Sequence, residues 1–353
     1  MSAKSVTATA AATARVGEGE GSRRSSIWAR FDHVVVPYIL VSPFFLLFAV
    51  FGIFPIVYSA LIAFKTFRNE TPVHRDGTSL NVYTQDRWVG WSNFSSVIHG
   101  EASHFFWQAM INTFGIFLLS TIPQLLMALL LASLLNRRLR AQTFYRVAIL
   151  LPYVTPIVAS SIVFVTFFSR DYGQANWVLS LFHIHSGYGV ASQHRIIPGI
   201  DWQSGTLAPW LAISIMVNWK WTGYNALLYL SSMQSIPKDI YEAAALDGAS
   251  PWRQLWSVTV PMIRPMVIFT VVLSTIGGLQ LFAEPVQFDA TPASGNGGNQ
   301  HQWRTVAQLI WKTGWTDKNF GVAGAMSWIL FFIVVAIAAL NAFLSNKIGG
   351  GKR

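Results

Sequence analysis

A lysine in the middle of an apolar run is the first feature of this chain that calls for chemistry. The run covers residues 205–232 and reads Asn218-Trp-Lys-Trp-Thr-Gly-Tyr-Asn225 near its centre. Wound as a helix, it places Asn218, Trp221, Thr222 and Asn225 on one face and turns Lys220 away from them. An ionisable group inside an apolar span is costly, so Lys220 either meets a substrate directly or reaches a polar cavity or a partner subunit. The Trp and Asn face suits a sugar, whose apolar ring face stacks on aromatics while its hydroxyls bond amides. The same residues would equally serve helix packing. A second set follows in residues 265–284. Thr270, Ser274, Gly277 and Gly278 share one side, the pattern of close helix approach. Gln280, Phe282 and Glu284, beyond them, are candidates to line a path.

Catalytic constellations are missing from the sequence. It contains no cysteine, which excludes disulfides, thiolate metal sites and cysteine nucleophiles. The eight histidines (His33, His74, His99, His104, His183, His185, His194 and His301) fall in loops or flanks, and His183-Ile-His185 is too sparse for a metal site. The C-terminal Gly349-Gly-Gly-Lys-Arg353 lacks the hydroxyl residue and the preceding strand of a phosphate-binding loop, and reads as a solvated basic tail. The expectation is therefore a chain that is not an enzyme and carries no cofactor or metal.

The elements that would position these residues are set by composition. Hydrophobic residues are 52% of the 353 positions and charged residues 11%, with a mean hydropathy of +0.42. Soluble domains carry about 25% charged residues. The deficit means that most of the surface does not face water. A net charge of +10 would raise the question of nucleic acid in a soluble protein. Here the charges sit between long apolar runs, which assigns them to membrane topology and leaves lipid, not nucleic acid, as the partner.

Crossing about 30 Å of hydrocarbon takes roughly 20 apolar residues. Six stretches qualify: Val34–Phe64, Ala109–Leu135, Val147–Phe168, Gly205–Ser232, Pro265–Phe282 and Val322–Ser345. Each must be helical, because backbone amides in lipid have to pair internally. With the N-terminus inside, segments 1–33, 136–146, 233–264 and 346–353 hold 15 Lys and Arg in 84 residues, while the outer loops hold 9 in 119. The positive-inside rule thus puts both termini in the cytoplasm. The expected fold is an all-α integral membrane protein of six transmembrane helices. Residues 1–33 form a disordered cytoplasmic segment, 34–345 the transmembrane domain, and 346–353 a cytoplasmic tail.

The inner loop 233–264 carries the most local information. Pro237 suits a first helical turn, Asp239 and Glu242 favour the positive end of the dipole, and Ala243 to Leu246 are strong helix formers. Gly248 fits a left-handed stop, and Ser250-Pro251 restarts a helix as N-cap and first residue. Pattern alone leaves open a helix pair lying at the membrane interface, anchored by Tyr241, Trp252 and Trp256.

The spacing within this loop resembles a known family. Glu242-Ala243-Ala244, three residues, Gly248, nine residues, then Val258-Thr-Val260-Pro261 is similar to the EAA loop of ABC importer permeases, with valines where Ile and Leu are usual. Leu230-Ser-Ser-Met-Gln-Ser-Ile-Pro-Lys, Trp91-Ser-Asn93-Phe94, Phe144-Tyr-Arg146 ahead of Leu151-Pro152-Tyr153, and Gly321-Val-Ala-Gly-Ala-Met326 look like its sugar branch, the maltose and oligosaccharide permeases. The resemblance covers about 300 residues, from the first span to the last. It implies the ABC importer permease fold, and a loop helix that docks in a groove of a cytoplasmic ATPase. Glu242, Ala243, Ala244, Asp247 and Gly248 take that role. It implies a complex with a second homologous permease, two ATPase subunits that bind ATP and Mg²⁺, and an extracytoplasmic sugar-binding protein facing residues 65–108, 169–204 and 290–300. The expected cargo is a di- or oligosaccharide, with a β-linked sugar such as cellobiose as the named case and glycerol 3-phosphate or another small solute as the alternative.

Overall fold

The computed structural model describes residues 36–66, 87–137, 140–170, 172–183, 189–192, 195–289 and 296–349. The expected disordered segment 1–33, loop residues 290–295, tail residues 350–353 and Arg138-Leu139 of the basic cluster lie outside them. The chain divides into two compact units, Met1–Leu61 and Ile62–Arg353.

The described part of the first unit is one apolar helix, α1 (Val36–Ala63), whose last two residues belong to the second unit. A π-helical turn at Ala49–Ile53 interrupts it just before Pro55. Pro55 has no N–H to give to Phe51, and the wider turn absorbs the missing bond.

The second unit is built along two helices, α3 (Ser103–Leu135) and α7 (Leu207–Met233). They run parallel. Ser214 Oγ bonds Ile116 O at 3.3 Å, and further along Ala132 and Leu135 pack with Leu230 and Met233. At 1.5 Å per residue α3 is about 48 Å long. Many of its buried residues (Phe106, Ala109, Thr113, Ile116, Ser120) recur every three or four positions and form one face. A short helix α2 (Ser92–Ile98) precedes it, after an antiparallel two-residue ribbon of β1 (Lys65–Thr66) and β2 (Arg87–Trp88). Asn93 donates through Nδ2 to Ala63 O at 2.9 Å and Lys65 O at 3.0 Å, tying α2 to the end of α1. Gly321 lies so close to Lys65 O that a side chain there would collide with it. Two of the family-like motifs, Trp91 to Phe94 and Gly321 to Met326, thus meet at one place.

The third expected span is not one helix. It breaks into α4 (Gln142–Val154) and α5 (Ile157–Phe167), inclined at 90°. The break is at Thr155, whose ψ of 131° is the extended conformation imposed on a residue before proline, here Pro156. α4 crosses α7 at Gly223, where any Cβ would collide with Ile149 O. Beyond α5 come α6 (Gln174–Leu181) and an antiparallel ribbon of β3 (Gly189–Ser192) and β4 (Arg195–Pro198), so among the described residues the otherwise helical fold carries two small ribbons in its loops.

After α7 the loop 233–264 forms α8 (Lys238–Leu246) and α9 (Pro251–Met262), followed by α10 (Arg264–Leu279) at 77° to α9. The chain continues through α11 (Ala283–Phe288) and α12 (Val306–Trp311) to α13 (Phe320–Gly349). Among the described residues α1, α3 and α13 are long and apolar enough to span a membrane, and the α4–α5 and α9–α10 pairs raise the number to five if each counts as one span. α7, at 27 residues, is about 40 Å long but more polar, because it carries Asn218, Lys220, Thr222 and Asn225.

Candidate functional site

Half-way along α3, beside Ser120, Thr121 and Gln124, a cavity of about 540 Å³ opens between α3, α4, α7, α10 and the turn into α11. That lies within the roughly 300–1,000 Å³ of ligand pockets. The break at Thr155 makes its wall. Tyr153, in the last turn of α4, stacks on Tyr224 with ring centroids 4.8 Å apart and meets Trp221 edge-on at 5.3 Å. Gly277 presents bare backbone to open space, while its neighbour Gly278 brings α10 against Phe117, where a Cβ would lie 2.6 Å from the ring.

Of the sequence candidates, Lys220, Trp221, Asn225, Gln280, Phe282 and Glu284 line this cavity. Asn218 and Thr222 do not. Asn218 is buried, with Nδ2 bonded to Ser214 O at 2.9 Å, and neither its Oδ1 nor the Thr222 hydroxyl has a partner. The helical-face expectation is therefore corrected. With about 100° per residue, the face that opens to the cavity runs through Val217, Lys220, Trp221 and Tyr224, so Lys220 points with Trp221 and not away from it. Ser274 and Gly277 also line the cavity instead of packing, whereas Thr270 is buried and shares a 2.6 Å hydrogen bond with Tyr229. Sequence reasoning missed Gln124, Tyr153 and Tyr224. Tyr224 had a signal in its helical spacing from Lys220 and Trp221, and Tyr153 stood only within the family-like Leu151-Pro152-Tyr153 motif.

Lys220 has a structural partner. Its Nζ donates to Thr155 O at 3.1 Å, the carbonyl left at the broken end of α4. A cation at the negative end of a helix is favourable, and here it satisfies a carbonyl that the break deprives of an intrahelical donor. Glu284 is buried near enough to Lys220 and Trp221 for both to act on its carboxylate. The cavity thus offers an aromatic platform, amides and hydroxyls, and one charge of each sign. It can bind a polar, ring-bearing molecule.

At the Leu135 end of α3 the loop helices follow the local rules closely. Gly248 has φ +76°, Ala249 N bonds Ala244 O at 2.9 Å and Gly248 N bonds Ala245 O at 3.0 Å, the paired bonds of a Schellman stop. Ser250 Oγ accepts from Arg253 N at 3.3 Å, with Pro251 opening the next helix. Pro237 sits at the N-cap, one position earlier than its expected first-turn place. Ile240 and Tyr241 pack on the cluster of Ile236, Leu255 and Ile263, and Tyr241 Oη lies 3.1 Å from Thr259 Oγ1. Glu242, Ala243, Asp247 and Gly248 are exposed, Ala244 is half-buried, and Leu246 is 89% exposed. The body holds one face of α8 and presents the other.

The family model described as "Binding-protein-dependent transport system inner membrane component" matches residues 124–347, which include the cavity residues of α7 and α10 and the whole inner loop. The chain is 30% identical over 326 residues to the lactose transport system permease protein LacF of Rhizobium radiobacter, covering 92% of this chain and 98% of that one. It is 28% identical over 326 residues to the sn-glycerol-3-phosphate transport system permease protein UgpA of Agrobacterium fabrum, covering 91% and 98%. In fold it is similar to a chain of a bacterial ABC transporter involved in the import of the acidic polysaccharide alginate, with a TM-score of 0.69, 21% identity, and coverage of 92% of this chain and 99% of that one. The match across the cavity and the loop, with the likeness to LacF along nearly the whole length of both chains, makes this multi-pass membrane chain a member of the binding-protein-dependent transport system inner membrane component family.

Proposed function

We propose that this chain is a permease subunit of an ABC importer that passes a neutral di- or oligosaccharide through the cavity beside Trp221. The observation that carries this reading is the Tyr153, Trp221 and Tyr224 cluster in a cavity half-way between the two ends of α3. Aromatic rings bind the apolar face of a sugar, and Gln124, Asn225 and Gln280 offer amides to its hydroxyls. The likeness to LacF, whose name gives lactose as cargo, supports a disaccharide. A β-linked sugar such as cellobiose is compatible with the same platform.

The working assembly in this reading has six spans with both termini in the cytoplasm, a second homologous permease and two ATPase subunits that hold ATP and Mg²⁺. An extracytoplasmic sugar-binding protein completes it. Exposed Glu242, Ala243, Leu246 and Asp247 meet the ATPase. The likeness to UgpA raises glycerol 3-phosphate as the competing cargo. The cavity argues against it, because the one cation among its described lining residues, Lys220, is bonded to Thr155 O and lies near Glu284. ATP-dependent uptake of labelled disaccharides and of glycerol 3-phosphate, in cells expressing the chain with its partner subunits, tests the choice. Uptake of a disaccharide that Trp221→Ala weakens supports the proposal. Uptake of glycerol 3-phosphate alone sinks it.

A further inference from the structure

Arg304 is a buried cation that lacks a full set of partners. It lines a pocket of about 560 Å³ at the Ser103 end of α3, the end opposite the inner loop. The residue is 3% exposed, and its Nε and Nη2 have no hydrogen-bond partner. The guanidinium lies 5.2 Å from the centroid of the Phe105 ring. Burial pushes it down to about 10, and Asp317 pulls it back only in part. Both carboxylate oxygens of Asp317 already bond Lys312 Nζ at 2.9 Å. Glu101, the other acid on the pocket wall, is exposed to solvent. His301, on the same wall, is held below its usual range first by burial and then by the charges of Arg304, Lys312 and His104, against its bond to Asn296 O.

A buried guanidinium with two idle donors is expensive, and the cost falls when an oxyanion takes both in a fork. One carboxylate shared between Arg304 and Lys312 leaves that place open. Thr313 and Asn319 add polar groups beside it, while Leu309, Val322 and Met326 give the pocket an apolar wall. The geometry points to a phosphate-binding site at Arg304 and Lys312, distinct from the central cavity, for a free phosphate or the phosphate of a lipid headgroup. The apolar wall suits the second source, and the polar groups serve either.

The test uses the assembled transporter in a phosphate-free, zwitterion-buffered neutral detergent. Inorganic phosphate and dihexanoyl phosphatidic acid are titrated separately at constant ionic strength, and the thermal midpoint is read. A saturable rise with inorganic phosphate identifies a free anion, and a rise with the lipid alone identifies a headgroup. Either supports the site if Arg304→Gln abolishes it and Lys318→Gln, a nearby cation outside the pocket, leaves it intact. Equilibrium dialysis of radiolabelled phosphate or lipid against the wild type and Lys312→Gln decides the matter should Arg304→Gln fail to assemble, with at least tenfold weaker binding expected in the variant. A response to neither ligand, or equal responses in the wild type and the variant, overturns the proposal. So does loss of binding-protein docking in Arg304→Gln with no phosphate response, which would assign the cation to a protein carboxylate.

Discussion

Lys220 and Trp221 are adjacent in sequence and line the same cavity, yet the geometry gives them different work, and kinetics can separate the two. Lys220 Nζ is committed to Thr155 O. Its replacement by Met removes a charge-assisted bond worth about 1.5–3 kcal/mol, and the loss falls on the joint between α4 and α5. The thermal midpoint of the purified complex should drop, whether or not sugar is present. Trp221 makes no bond to the broken end of α4; its indole lies beside the Glu284 carboxylate and the two tyrosine rings. Trp221→Ala takes away one wall of the aromatic platform, worth about 0.5–1.5 kcal/mol, so the KM for uptake should rise roughly two- to tenfold in complexes that still assemble, whereas Lys220→Met should leave KM unchanged. A Lys220→Met variant of normal stability and raised KM would reassign the lysine to substrate. Nothing in the sequence near Lys220 names Thr155 as its partner. The link needs the break at Pro156, 64 positions earlier, to be seen in three dimensions.

Among the elements, α8 is the one whose form was legible beforehand, because its limits are set by neighbours in sequence. The glycine stop, the Ser-Pro restart and the alanine run act over three or four residues, and the structure keeps each of them. The broken third span was hidden for the opposite reason. Its apolar content is continuous, and Pro156 is tolerated in a membrane helix whenever neighbours satisfy the freed carbonyl. Here Lys220 does so from another helix, and sequence periodicity cannot report a donor supplied from elsewhere. The cavity was likewise half legible: its α7 residues share one octapeptide, but Gln124 and Tyr153 arrive from other helices. At Gly248 the local logic yields a sharp test. A β-branched residue at φ +76° costs on the order of 1–3 kcal/mol, although no atom stands within 4 Å of its Cβ. Gly248→Val should therefore distort α8 without disturbing the core. ATPase subunits should no longer co-purify and uptake should stop, while membrane insertion stays normal. Gly248→Asn, which tolerates the left-handed region, should keep most of both. Full co-purification with Gly248→Val would remove α8 from the docking interface.

On the scale of the whole molecule, α3 acts as a ruler with three stations: the inner loop at its Leu135 end, the aromatic cavity at Gln124, and the Arg304 pocket at Ser103. Transport requires the first and last stations to face opposite compartments, and the absence of cysteine makes that directly measurable. Leu246, 89% exposed, and Trp315, 64% exposed with Lys318 over its ring at 5.1 Å, mark the two ends. Single cysteines at these positions introduce the chain's only thiols. With the inner loop cytoplasmic, Trp315→Cys should react with a membrane-impermeant maleimide in spheroplasts, and Leu246→Cys only after permeabilisation. The surplus of Lys and Arg in the inner segments argues for this orientation, but by a margin of charges scattered over long loops. The labelling reads two defined points, Leu246 at the end of α8 and Trp315 between α12 and α13, one towards each end of α3. Labelling of Leu246→Cys in sealed spheroplasts would invert the orientation and take the ATPase off α8. Labelling of neither site before permeabilisation would deny that α3 crosses the bilayer, and with it the central cavity as a route between compartments.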